Sequence, residues 1–152
     1  MGTTSDGFFE LDTLPPRVAI IGSGYIAVEI AGIMQALGSQ VTLVIRGETV
    51  MRYFDAMLGA SYVEIARDRG MEIVHNAVTE SVSQLADGSL QIGMADGRHV
   101  GPFDKLIWAV GRRPRTQDLG LEAVGVKLDK YGFVLTDKFQ NTMSRPSMPS
   151  VM

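Results

Sequence analysis

At 152 residues, with 45% hydrophobic and 20% charged residues, the chain has the size of one well-packed domain and leaves no room for a second full one. A formal net charge of −3 and a pI near 5.3 exclude a broad phosphate-binding surface, so nucleic acid is not expected as a partner. No apolar run approaches the length of a membrane span, and the absence of cysteine excludes disulfides, thiolate metal sites and thiol nucleophiles within this sequence.

Residues 1–16 read as a polar, turn-rich leading segment closed by Leu14-Pro15-Pro16, and regular structure is predicted to begin just after it. The segment lacks the basic start and apolar core of a secretory signal, so a cytoplasmic location is expected. Val18-Ala19-Ile20-Ile21 is a short apolar run of the kind that forms a strand buried on both faces. Residues 24–37 are mostly apolar helix formers, and Gly38 stands where a left-handed C-terminal cap belongs. Residues 41–45 are rich in β-branched side chains and complete a βαβ unit. Asp55 is placed to cap a helix reaching about Arg69, with Leu58, Tyr62, Ile65 and Ala66 as its apolar stripe and Gly70 as its stop. A third strand follows over residues 71–74.

The pattern then changes, because Asp87-Gly88 and Asp96-Gly97 are hairpin turns between strands at 78–85, 90–94 and 99–103. These predict an antiparallel meander. Residues 105–110 resume the buried-strand pattern and rejoin the parallel sheet, with Trp108 assigned to the core. Residues 119–135 are expected to be loop with short β pieces, and 143–152 a disordered tail. The organisation is therefore a leading segment 1–16, a nucleotide-binding domain 17–142 and a tail 143–152, without an internal repeat.

Gly22-Ser23-Gly24-Tyr25-Ile26-Ala27 matches G-x-G-x-x-G/A between the first predicted strand and its helix, the setting in which this motif binds a dinucleotide. Gly22 permits the tight turn, Gly24 removes a side chain that would hold a pyrophosphate off the backbone, and Ala27 lets helix and strand approach. The helix N-terminus then presents N–H groups and partial positive charge to the anion. An acidic residue at the end of the second strand would bind the ribose hydroxyls of NAD, whereas this sequence has Arg46, with Arg52 six residues on. Two guanidinium groups there suit the 2′-phosphate of NADPH, with Glu48 between them. The predicted fold is thus α/β, a Rossmann-like three-layer FAD/NAD(P)-binding fold with a small parallel sheet, flanking helices and an inserted antiparallel meander.

Taken together, Gly22 to Ala27 with Tyr25 and Glu29, Arg46 and Arg52 followed by Phe54-Asp55, Asp87-Gly88-Ser89, and Ile107-Trp108-Ala109-Val110-Gly111-Arg112 closely resemble bacterial glutathione reductases. The resemblance covers residues 5–142. It implies a homodimer in which NADPH reduces FAD, and FAD reduces a cysteine pair that opens glutathione disulfide. It also implies that Tyr25 gates the nicotinamide pocket, that Glu29 pairs with a lysine of the flavin domain, and that Gly111 and Arg112, within Ala109-x-Gly111-Arg112-x-Pro114, close the dinucleotide site. Arg113-Pro114-Arg115-Thr116 is similar to trypanothione reductases as well.

The sequence contains no second G-x-G-x-x-G for FAD, no cysteine pair and no dimerisation domain with a catalytic histidine. It is therefore expected to be an excised domain that binds NADPH without turning over, the FAD site lying elsewhere in the parent. No metal site is expected, since His75 and His99 have no ligand-spaced partner and read as structural or exposed. Tyr25 and Glu29 lie one helical turn apart and share a face of an otherwise apolar helix. The competing function is a non-catalytic NADP(H)-sensing module. A self-sufficient dehydrogenase finds no Tyr-x-x-x-Lys pair here.

Overall fold

A computed structural model describes residues 1–142, so the expected tail 143–152 lies outside the described residues. The chain divides into two units, Met1–Gly111 and a second that begins at Arg112. In chain order the first unit runs β1 (Thr3–Thr4), α1 (Ser5–Phe8), β2 (Arg17–Ile21), α2 (Tyr25–Leu37), β3 (Gln40–Val44), α3 (Ala56–Asp68) and β4 (Glu72–Val74). It continues with β5 (Thr79–Gln84), β6 (Leu90–Met94), β7 (His99–Phe103) and β8 (Lys105–Trp108).

Five strands form an all-parallel sheet in the order β1-β8-β2-β3-β4, and β5-β6-β7 form a separate antiparallel sheet. Alternation along the central strands explains how three layers assemble. Val18 and Ile20 of β2, Val41 and Leu43 of β3 and Ile107 of β8 join one buried cluster with Ala27, Ile30, Ala31 and Met34 of α2. Ala19, Ile21, Val44 and Leu106 point the other way and pack on Ile92, Met94 and Phe103 of the meander. Each fully buried Ile or Leu contributes roughly 1.5–3 kcal/mol, so the sheet is held from both faces. The predicted α/β fold, with its parallel sheet, flanking helices and antiparallel insertion, is the observed one.

Three expectations need correction. Regular structure begins at Thr3 and not after Pro16, because Thr3 and Thr4 add β1 to the edge of β8, in register with Ile107 and Trp108. A two-residue strand paired across the whole unit leaves no apolar periodicity to read. The buried face of α3 is Gly59, Tyr62, Val63 and Ala66, whereas Leu58 and Ile65 are 48% and 51% exposed. The helix is rotated because Gly59 lies against the preceding loop: a Cβ there would stand 2.7 Å from the Val50 carbonyl oxygen. Trp108 is half-buried, since its indole N–H donates to the Met1 carbonyl at 3.0 Å.

Local chemistry sets the element ends largely as expected. Gly38 adopts φ 107° at the end of α2, and the Asp55 carboxylate accepts from the Met57 N–H at 2.9 Å at the start of α3. Gly88 and Gly97 take φ of 86° and 85° in the two hairpin turns. The Asp87 carboxylate accepts both the backbone N–H and the hydroxyl of Ser89, which holds it below the usual carboxylate range.

In the second unit, Thr116 donates to the Gly132 carbonyl at 2.7 Å, and one 3₁₀ turn covers Glu122–Val124. A short motif then occurs twice, eight residues apart. Asp129 accepts N–H groups from Tyr131 and Phe133 while Lys130 lies 4.9 Å over the Tyr131 ring. Asp137 accepts from Phe139 and Asn141 while Lys138 lies 4.9 Å over the Phe139 ring. Each loop joins an isolated bridge: Leu128 with Val134, a short β piece of the kind expected over 119–135, and Thr136 with Thr142, which lies beyond that range.

Candidate functional site

All strands of the large sheet are parallel, so the turns after β2, β3 and β8 emerge at one edge. Register makes this concrete, because Ile21 is paired with Val44 on one side and with Trp108 on the other. Gly22 follows directly, its N–H donating to the Val44 carbonyl at 3.0 Å, while the Ala109 N–H donates to the Ile21 carbonyl at 2.8 Å. Chain order runs from β2 to β3 on one side and returns as β8 on the other, the crevice in which open α/β sheets bind ligands.

The glycines of this turn have different jobs. Gly22 adopts φ 141°, and a Cβ on it would collide with the Ala109 carbonyl. Gly24 precedes α2 with φ −81° and ψ 176°, and a Cβ there meets nothing within 4 Å. It is the helix N-cap and supplies no side-chain cap, so the start of α2 opens onto space. Ser23 and Ile26 are half-buried, and Ala27 is fully buried against the sheet, leaving no room for a longer side chain. The open space over Gly24 lies next to this uncapped helix N-terminus, whose N–H groups can donate to an anion.

Arg46 lies two residues beyond Val44, exposed at the same edge. The loop that follows is tied back to the glycine turn, because the Met51 N–H donates to the Ser23 carbonyl at 2.6 Å with Met51 itself at φ 51°. Arg52 is exposed too but is engaged by its neighbour, its guanidinium 4.6 Å over the Tyr53 ring and donating to the Tyr53 hydroxyl at 2.6 Å. Tyr25 and Glu29 share an exposed face of α2, Tyr25 with 41% of its surface accessible. Ile33 and Leu37, at the next helical steps, are exposed along it as well. Gly111 ends the first unit at φ 154°, whereas Arg112 belongs to the second, where it lines a cavity of about 980 Å³ with Gln117, Asp118, Glu122 and Tyr131.

Two contacts at this edge escape a reading of the sequence: the Met51–Ser23 bond, and a hydrogen bond between the His75 ring and the Glu48 carbonyl at 2.8 Å. The first joins two main-chain atoms and the second ends on one, and main-chain atoms carry no residue-type signal. Among the described residues no group of three or more His, Cys, Asp or Glu is arranged to hold a metal, and no helix is long and apolar enough to cross a membrane.

The profile of the pyridine nucleotide-disulphide oxidoreductase family matches residues 2–151. The chain belongs to this family. Among solved structures, the HOCl-induced flavoprotein disulfide reductase RclA from Escherichia coli is similar at 30% identity and a TM-score of 0.83, the match covering 94% of this chain and 32% of that one. LpdA from Mycobacterium tuberculosis is similar at 30% identity and a TM-score of 0.81, covering 93% of this chain and 30% of its own. The chain therefore spans about one third of the length of the structures it matches.

Proposed function

We propose that residues 17–142 are the NADPH-binding domain of a glutathione reductase-like flavoprotein disulfide reductase. The observation that carries this reading is the meeting of the Gly22–Ala27 turn and an exposed arginine at one sheet edge: Ile21 and Val44 are paired, Gly22 follows one and Arg46 stands two residues past the other. The uncapped start of α2 receives the pyrophosphate over Gly24. Arg46 takes the 2′-phosphate, with Arg52 joining it after leaving the Tyr53 ring. Ser23, Ile26 and Ala27 shape the turn, and Gly111 closes the site. When bound, NADPH supplies the hydride. Tyr25 and Glu29, on the exposed face of α2, are the nicotinamide gate and the carboxylate that pairs with the flavin domain. FAD, the redox cysteines and the dimerisation domain belong to the parent homodimer outside this sequence, with glutathione disulfide as its substrate and the cytoplasm as its location.

The test is calorimetric titration of the Arg46→Ala/Arg52→Ala double variant with NADPH and NADH. Each charge-assisted contact contributes about 1.5–3 kcal/mol, so NADPH affinity should fall on the order of 10²–10⁴-fold while NADH affinity stays level. Equal weakening toward both coenzymes overturns the assignment.

A further inference from the structure

The loop after β3 carries the proposed coenzyme-selecting arginine, and it is stitched to the chain leaving β4. The Ile45 N–H donates to the Val74 carbonyl at 2.9 Å, and the Ala77 N–H donates back to the Ile45 carbonyl at 2.9 Å. The Asn76 N–H donates to the Gly47 carbonyl at 3.1 Å. Arg46 is therefore bracketed by residues whose main chains are fixed. The next carbonyl, that of Glu48, is bound by a side chain: His75 Nδ1 lies 2.8 Å from it. The following main-chain hydrogen bond of the loop is three residues on, where Met51 donates to Ser23.

Elementary donor and acceptor accounting determines the state of that ring. On its other side, Arg67 Nη2 from α3 stands 2.7 Å from His75 Nε2. A guanidinium only donates, so Nε2 must be the unprotonated, accepting nitrogen. A carbonyl only accepts, so Nδ1 must carry the hydrogen. Both contacts are satisfied by one neutral tautomer and by no other. Arg67 thus selects the tautomer whose Nδ1–H holds Glu48. The same arginine lines, with Glu48, Thr49, Glu64 and Asp68, an open cavity of about 490 Å³ between α3 and this loop.

We propose that His75 and Arg67 are positioning residues for discrimination between 2′-phosphorylated and unphosphorylated coenzymes. The imidazole fixes the main chain just after Arg46, Arg67 fixes the imidazole, and the guanidinium of Arg46 is thereby presented at the sheet edge. This rests on the reading of Arg46 as the phosphate ligand. It predicts that changes at His75 alter recognition of the 2′-phosphate and leave the pyrophosphate surface over Gly24 untouched, because that surface is built by β2 and α2.

The experiment uses the full 152-residue chain and measures the affinities of 2′,5′-ADP and 5′-AMP, whose ratio isolates the 2′-phosphate. His75→Ala should lower that ratio about three- to tenfold, the range set by one lost hydrogen bond, with 5′-AMP binding unchanged. His75→Asn, whose amide N–H replaces Nδ1–H, should restore the ratio to within about twofold of the original. Arg67→Met should give an intermediate loss, as the ring becomes free to change tautomer. A ratio unaffected by His75→Ala, or equal weakening of both ligands, overturns the proposal while the coenzyme reading stands. Absence of 2′-phosphate preference in the unaltered chain, or no response to Arg46→Ala, overturns the coenzyme reading itself and the proposal with it. If His75→Ala does not fold, the Asn and Met variants decide: the ratio must follow retention or loss of the Nδ1–H equivalent.

Discussion

Gly22 and Gly24 stand two residues apart in one turn, yet what surrounds them gives substitutions opposite consequences. At Gly22 any side chain meets the Ala109 carbonyl, and φ 141° is itself unfavourable for an L-residue. Gly22→Ala should therefore destabilise the fold by on the order of 1–3 kcal/mol, visible in thermal unfolding without any ligand. At Gly24 the same methyl group meets open space, so Gly24→Val should unfold at nearly the same temperature while NADPH binding weakens at least about a hundredfold. A folded Gly24→Val that binds as before would show that the turn serves packing alone. The motif was legible in the sequence as a unit, but the division of labour within it was not. That division depends on Ala109, which follows β8 and arrives much later in the chain. Arg46 and Arg52 were equally legible as a pair, whereas the attachment of Arg52 to Tyr53 is a choice among side-chain rotamers that no periodicity records.

At the level of elements, α2 was readable to within a residue because its apolar side chains, its glycine turn and its Gly38 cap all agree. α3 was readable in extent but not in orientation. Two of its large hydrophobes, Leu58 and Ile65, face outward, and the face that packs is defined by Gly59 and Ala66, whose small side chains a hydrophobicity pattern undervalues. Tyr62 completes that face, its hydroxyl donating to the Val28 carbonyl of α2 at 3.4 Å and its phenol pKa raised by burial. A second device lies at the start of β2, where the Arg17 Nε and Nη2 groups donate to the two Asp104 oxygens at 3.0 and 2.6 Å, tying β2 to the chain entering β8. The hydrogen bonds from Arg17 hold the Asp104 carboxyl below its usual range. A carboxyl depressed in the folded state adds stability above its unfolded value and loses it as pH falls through the folded one. Asp104→Asn should accordingly melt slightly below the unaltered protein at neutral pH, and the gap should close as the solution is acidified past the ordinary carboxylate range. The pair is exposed and the effect small. A gap that widens in acid would contradict this account.

For the molecule as a whole, the phosphate contacts proposed at Gly24, Arg46, Arg52 and the start of α2 belong to the adenosine half of the coenzyme. We therefore expect 2′,5′-ADP and NADPH to bind the isolated chain with affinities within a few-fold of each other, and no NADPH oxidation when glutathione disulfide is added. Holding a hydride donor and its acceptor in reacting geometry is worth about 7–11 kcal/mol of barrier, and the sequence carries no second G-x-G-x-x-G turn to hold a flavin acceptor. Steady turnover by the flavin-free chain would refute the assignment of its chemistry. The sheet order described above also bears on how this protein is made. β2 is completed on one side by β3 almost at once, but its other neighbour is β8, and the Arg17–Asp104 contact that joins their starts spans 87 residues. During synthesis the two-sided burial of β2 must wait for that last strand to leave the ribosome. Until then a row of unpaired main-chain groups beside Val18 to Ile21 is exposed, a template for wrong pairing. The nascent chain thus passes through a window in which its most apolar strand is an edge, and chaperone capture in that window would guard the same strand that later supports the glycine turn.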